Sequence, residues 1–259
     1  MDTPQPKREG AQSVLRALTI LEAVAKEQPA GLSKLARTVN LPKTTVYRLL
    51  RTLAEAGWIA PQGDPGDQKW HLTARALAVG SSAVSQVDLR QIARPVMESL
   101  GEQTGENIHL SAPDGAFLVL VDKVPSTNPV QTVAHIGART PIHTTGSGWA
   151  FLARLSADEV EDLLPAELVA TSAYTVTDRG QLEAGIRATT EAGYAVNHGM
   201  WRDETASVAA AIVDKSGHPI GSLSVSMPSY RLTADRESPF GEMTRDAAAE
   251  ISRRIAALS

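Results

Sequence analysis

Two groups of residues in this 259-residue chain have types and spacings that could do chemistry. The first is Thr44, Thr45, Tyr47, Arg48 and Arg51, which sets hydroxyls, a phenol and guanidinium groups within about two helical turns. Such side chains hydrogen-bond the base edges and phosphates of duplex DNA. The second is Ser222, Ser224 and Ser226, which alternate with Leu223 and Val225, together with the turn Gly146-Ser147-Gly148. A period of two puts the three hydroxyls on one face of a strand and the apolar side chains on the other. That polar face suits a cavity for a polar ligand, or else it simply meets solvent. The glycine turn offers backbone N–H groups at a helix start, a place for an anion such as a carboxylate. Its plainer reading is a helix entry.

Enzymatic chemistry finds less support. The chain has no cysteine, which excludes disulfides, cysteine zinc sites, iron–sulfur clusters and thiol nucleophiles. A serine nucleophile on a G-x-S-x-G elbow fails at Ser147, because Thr145 stands where the first glycine belongs. The same turn lacks the Lys-Ser/Thr of a phosphate loop. His71, His109, His135, His143, His198 and His218 show no metal-ligand spacing and read as surface or pocket histidines. His143 and Asp178 can be assembled into a catalytic pair, but nothing in their spacing requires it. The expectation is a binding protein without metal or cofactor. A hydrolase or isomerase with an accessory DNA-binding domain is the alternative, and a scaffold joining other proteins is a third.

The elements that must position these residues follow from periodicity. Residues 13–27 carry apolar side chains at three- and four-residue spacing and read as a helix, with a second at 33–39. A third spans 42–56, opened by Pro42 and stopped by Gly57. At 100° per residue, Val46, Leu49, Leu50 and Leu53 share one face, while Thr44, Arg48, Arg51 and Glu55 take the opposite one, flanked by Tyr47. Short strands at 58–60 and 69–72 enclose a turn-rich stretch, which completes a winged helix-turn-helix. Lys34, Lys43, Arg51 and the wing's Lys69 suit phosphates, and Thr44, Thr45, Tyr47 and Arg48 suit bases. Residues 1–87 carry 11 Lys and Arg against 7 Asp and Glu, whereas residues 88–259 carry 14 against 22. A basic third on an acidic protein points to a polyanion partner.

Residues 73–87 read as a linker helix, which could also dimerise. Beyond it the pattern becomes mixed α/β: a helix at 89–104, a hairpin at 107–111 and 117–123, and a strand at 130–136. Helices follow at 148–155, 158–164 and 179–192, then a strand at 194–197, a hairpin at 208–213 and 220–227, and a last helix at 240–258. No apolar run approaches the roughly 20 residues needed to cross a bilayer, and the first residues lack the apolar stretch of a signal peptide, so a cytoplasmic location is expected.

The stretches SVLRALTILEAVA and LSKLARTVNLPKTTVYRLLRTLAEAGWI resemble the N-terminal domain of the IclR family of bacterial regulators. HIGARTPIHTTGSGWAFLA and SVAAAIVDKSGHPIGSLSVSMPSYRLT resemble that family's effector-binding domain, in the right order. The resemblance covers about residues 11–258. It implies an α+β protein with a winged helix-turn-helix at 11–72, a linker helix at 73–87 and a GAF-like α/β effector domain at 88–259. It also implies a ligand-responsive regulator, a repressor, whose partners are double-stranded operator DNA, a small effector (a carboxylate or aromatic catabolic metabolite) and further copies of itself as dimer or tetramer. By position it nominates Gly146, Ser147, Asn197, Thr205, Ser207, Ser224 and Ser226 for the effector, with Thr132 on the strand before them. Trp149 stands where the family has lysine, and the paired glutamates of the family are replaced around Gly199 and Met200. The expectation is that Trp149, Met200 or Trp201 narrows the pocket toward a bulky or aromatic ligand, unless Trp149 packs between subunits.

Overall fold

The computed structural model describes residues 12–64, 66–83 and 89–258, and the chain divides into two compact units, 1–85 and 86–259. The first unit holds α1 (Gln12–Glu27), β1 (Ala30–Gly31), α2 (Leu32–Thr38), α3 (Lys43–Glu55), β2 (Ile59–Gln62), β3 (Lys69–Leu72) and α4 (Ala74–Ala83). Ile20, Val24, Leu35, Val46, Leu50 and Ile59 are enclosed between α1, α2, α3 and the small sheet. Each such aliphatic side chain contributes about 1.5–3 kcal/mol by leaving water. Asn40 takes the left-handed conformation that reverses the chain between α2 and α3 (φ 50°), one that Asn tolerates better than most residues. The wing is a three-stranded antiparallel sheet, because β1 adds to the outer side of β3, with Ala30 opposite Trp70. Two residues carry no readable alternation, so β1 was invisible in the sequence.

Helix α3 ends in a stitched corner. Thr73 Oγ1 donates to the carbonyl of Gly57 at 2.6 Å, and Arg75 Nη1 donates to that of Ala56 at 2.9 Å. The Arg75 guanidinium also lies 5.5 Å from the centre of the Trp58 ring. A cation at a helix C-terminus satisfies a free carbonyl and opposes the negative end of the helix dipole. The expected continuation of α4 through residues 84–87 lies outside the described residues.

The second unit is built on a six-stranded antiparallel sheet. Its elements are α5 (Leu89–Thr104), β4 (Asn107–Asp114), β5 (Phe117–Val124), β6 (Arg139–Pro141), α6 (Gly146–Leu152), α7 (Ala157–Leu163), α8 (Arg179–Ala192), β7 (Ala195–His198), β8 (Thr205–Val213), β9 (Pro219–Pro228) and α9 (Ala234–Ala256). The spatial order is β6-β5-β4-β9-β8-β7. One face presents Ile108, Leu110, Val208, Ala210, Leu223 and Val225 to Met97 and Leu100 of α5 and to Ile251 and Ile255 of α9. Alternation then forces Asn107, His109, Ser207, Ser222, Ser224 and Ser226 onto the other face, beneath α6.

Residues 130–136 do not form the expected strand. Val130, Val133 and Ile136 are exposed, and the segment runs as an irregular strap whose β-branched residues bury nothing that a strand would. The edge strand is β6 instead. Helix α9 begins at Ala234, six residues before the expected start, with Pro239 inside its first turns. As the sixth residue of the helix, Pro239 lies past the free N–H groups of the first turn and gives up one backbone hydrogen bond, so the local sequence reads as a later start.

Candidate functional site

On α3 the enclosed and outward residues separate as the periodicity requires. Val46 and Leu50 are fully buried, while Lys43, Thr44, Tyr47, Arg48 and Arg51 are exposed and Thr45 is half-buried. Arg51 lies along the helix against Glu55 at 3.2 Å, and Lys34 is paired with Glu27. Exposed pairs of this kind hold about 0–1 kcal/mol, little enough for a phosphate to displace them. Arg48 makes no ion pair among the described residues, so its guanidinium is free to reach outward. Lys69 is exposed where β3 begins.

In the second unit the polar face of the sheet is organised in rows. Asn197, Ser207, Ser226 and Asn107 sit opposite one another across β7, β8, β9 and β4. The next row runs Ala195, Ala209, Ser224, His109 and Lys123, and the third runs Ala211, Ser222, Ser111 and Leu120. Helix α6 starts directly against the first two rows: a Cβ on Gly146 would stand 3.1 Å from Ser207 Oγ, 3.3 Å from Asn197 Cβ and 3.6 Å from Ala209 Cβ. A side chain there would press on these neighbours, so glycine eases the close approach of the helix. Thr145 caps α6, its hydroxyl accepting from Gly148 N–H at 3.0 Å, and Ser147 is half-buried in the first turn.

The strap closes the opposite side of this face. Asn107 Nδ2 donates to Thr132 Oγ1 at 3.2 Å, and Thr132 Oγ1 lies 3.4 Å from Ser226 Oγ. Lys123 Nζ donates to the carbonyl of Ala134 at 2.7 Å, and Arg231 Nη1 to that of Val130 at 2.7 Å. Arg231 is itself held at 2.7 Å by Glu106, which is 2% exposed. Thr132 therefore reaches the serine row from an irregular segment. Thr205 lies one step beyond the first row, its hydroxyl bonded locally to Arg202 O at 3.0 Å.

Asn197 is fully engaged. Its Nδ2 donates to Thr144 O at 3.2 Å, and its Oδ1 accepts from Met200 N–H at 3.1 Å. The Met200 carbonyl in turn accepts from the hydroxyls of Thr171, Ser172 and Thr175 at 3.0, 3.1 and 2.7 Å. Trp149 packs at the alanine end of the face, against Ala195 and Ala209. Its Nε1 donates to His143 O at 2.8 Å, and its ring occupies the space over Gly185 of α8, where a Cβ would stand only 2.0 Å from Cζ3. The ring thus lies between α6 and α8 of one subunit and borders the second row of the face at Ala195 and Ala209.

Four polar members of the face escaped the sequence reading as site residues: Asn107, His109, Ser111 and Lys123. The signal was present, since Asn107, His109 and Ser111 alternate with Ile108 and Leu110. Burial, together with the nearby Lys123 charge, pushes the His109 imidazole down to about 4, so it is neutral at pH 7. His143, bonded to Val169 O at 3.1 Å, is also held below its ordinary value, chiefly by burial. Among the described residues no cluster of His, Asp and Glu could hold a metal, and no helix is long and apolar enough to cross a membrane.

Comparison with known proteins agrees with both halves. Residues 13–63 match the IclR helix-turn-helix domain, and residues 81–253 match the bacterial transcriptional regulator IclR C-terminal domain. The transcriptional repressor IclR of Escherichia coli K12 is 32% identical over 245 residues, covering 93% of this chain and 89% of that protein. The regulator KdgR of Dickeya chrysanthemi is 30% identical over 248 residues, 95% of this chain and 81% of its own. A solved structure from Rhodococcus sp. RHA1 superposes with a TM-score of 0.77 at 30% identity, covering 96% of this chain and all of that one. An IclR homologue from Microbacterium hydrocarbonoxydans, solved in complex with 4-hydroxybenzoate, shares the fold at 24% identity and a TM-score of 0.76, over 95% of this chain and 99% of its own. With an operator-reading domain and a ligand-binding domain matched in this order over nearly its whole length, the chain belongs to the IclR family of bacterial transcriptional regulators, which bind DNA and are not enzymes.

Proposed function

We propose that this regulator is a cytoplasmic repressor that reads its operator with the outer side of α3 and releases it when a small effector binds the polar sheet face. Thr44, Thr45, Tyr47 and Arg48 contact bases, and Lys34, Lys43, Arg51 and Lys69 contact phosphates. The observation that carries the DNA contacts is the clean division of α3, whose apolar side is enclosed while Arg48 and its neighbours project. The effector lies among Thr132, Gly146, Ser147, Ser207, Ser224 and Ser226, with Asn197 and Thr205 shaping the ends. Hydroxyl, amide, imidazole and ammonium groups line the serine-bearing part of this face, which favours a small carboxylate over an apolar ring. Val14, Leu15 and Leu18 are exposed together on α1, which supports pairing of two copies through that helix.

The decisive experiment is a gel shift on the DNA upstream of the protein's own gene, with and without candidate metabolites. Retardation at low salt, steep weakening as salt rises and release by a carboxylate are expected. A protein that ignores every fragment at low ionic strength overturns the proposal.

A further inference from the structure

Arg75 is an exposed cation of the basic N-terminal unit, yet its guanidinium folds back on the protein. Nη1 donates to the carbonyl of Ala56 at 2.9 Å, just past the last residue of α3, and the group lies 5.5 Å from the centre of the Trp58 ring. Beside it, Thr73 N–H donates to the carbonyl of Trp58 at 3.0 Å and the Thr73 hydroxyl to that of Gly57 at 2.6 Å. Three elements meet at this junction: the end of α3, the residues that lead into β2 of the wing, and the first turn of α4. Core packing of Val46 and Leu50 decides which side of α3 faces outward. The tie at Ala56 fixes the tilt of the helix relative to the wing.

We propose that Arg75 is a positioning residue for operator reading: it acts through the end of α3 without touching DNA, and it secures discrimination between sequences rather than affinity for duplex as such. This rests on α3 being the reading helix. Arg48 and Thr44 stand eight and twelve residues before Ala56. At that distance, about 12–18 Å along the helix, a tilt of about 5° at the Ala56 end moves them by about 1–1.5 Å. Hydrogen bonds to base edges tolerate a range of only about 0.5 Å, so a shift of that size breaks them. The phosphate contacts are less exacting, because lysine is a point charge on a flexible stem. Lys34 on α2 and Lys69 on β3 do not ride on α3 at all. Loosening the junction therefore falls on base reading and spares the attraction to the backbone.

Gel retardation by the full chain tests this on two fragments of equal length, the DNA upstream of the protein's own gene and an unrelated sequence, across a salt series. Arg75→Gln should weaken binding to the upstream fragment about fivefold, the size of one net hydrogen bond. Its binding to the unrelated fragment and its slope of log affinity against log salt should match the wild type. Arg75→Lys can still donate to Ala56 O and should stay within about twofold of wild type on the upstream fragment. A direct phosphate contact would instead weaken both fragments alike and lower the slope by about one. Simple destabilisation would weaken both fragments and lower the melting temperature. Either result overturns the proposal, as does an upstream affinity that Arg75→Gln leaves unchanged. The two levels separate cleanly. A wild type that does not prefer the upstream fragment sinks the reading of α3, whereas equal preference in wild type and Arg75→Gln sinks only the role of Arg75.

Discussion

Replacing His109 with glutamine should flatten the acid sensitivity of the second unit, by an amount that follows from the position of the imidazole. In an unfolded chain histidine takes up its proton near 6.5, whereas burial and Lys123 hold His109 down to about 4 in the folded sheet. Unfolding between those values therefore takes up a proton, so falling pH favours the unfolded state. The stabilisation is fully present above pH 6.5 and is lost as pH falls toward 4. A displacement of this size corresponds to about 3 kcal/mol in full, and about 2 kcal/mol of it is spent by pH 5. Glutamine keeps a polar side chain and does not titrate. Amide hydrogen exchange of peptides from β4 and β9 reads the opening of this sheet separately from the N-terminal unit. Between pH 7.5 and 5 the wild type should lose about 2 kcal/mol more opening free energy than His109→Gln. Parallel losses in the two proteins would mean that the imidazole is not held neutral by this environment.

Other perturbations address other parts. Arg48→Ala should lower specific operator affinity at least tenfold with no change in thermal unfolding, measured by gel shift and calorimetry. Ser224→Leu should leave operator binding intact and abolish release by effector in the same gel shift. Asn197→Asp sets a carboxylate against the Thr144 carbonyl in a buried place. It should cost about 3 kcal/mol in urea unfolding at pH 7, with part recovered at low pH, where a protonated carboxyl can donate. Gly185→Ala drives a methyl group into the Trp149 ring and should cost about 1–3 kcal/mol, seen as a lower melting temperature and altered tryptophan fluorescence.

Much of the architecture was legible because local and global demands coincide. The division of α3 into an apolar and a polar side follows from 3.6-residue periodicity alone, and the structure bears out that division residue by residue. The serine alternation on β9 likewise placed Ser222, Ser224 and Ser226 on one face. Segment 130–136 misled because its β-branched residues read as a strand, yet side chains hold its backbone in place of a neighbouring strand: Lys123 on Ala134 and Arg231 on Val130. No local pattern announces a long-range side-chain tether. The placement of Trp149 was hidden for a related reason. Whether a ring turns to a cavity or to a neighbouring helix depends on Gly185, distant in sequence, which leaves room for it. His109 and Lys123 were passed over because each looks ordinary until β4 and β5 are laid side by side.

The stitched corner at the end of α3 has a mechanical consequence. Arg75 and Thr73 hold the carbonyls of Ala56 and Gly57 just past the end of α3, so the first turn of α4 and the end of α3 are braced as one bracket. Turning the start of α4 against α3 therefore first requires these contacts to break.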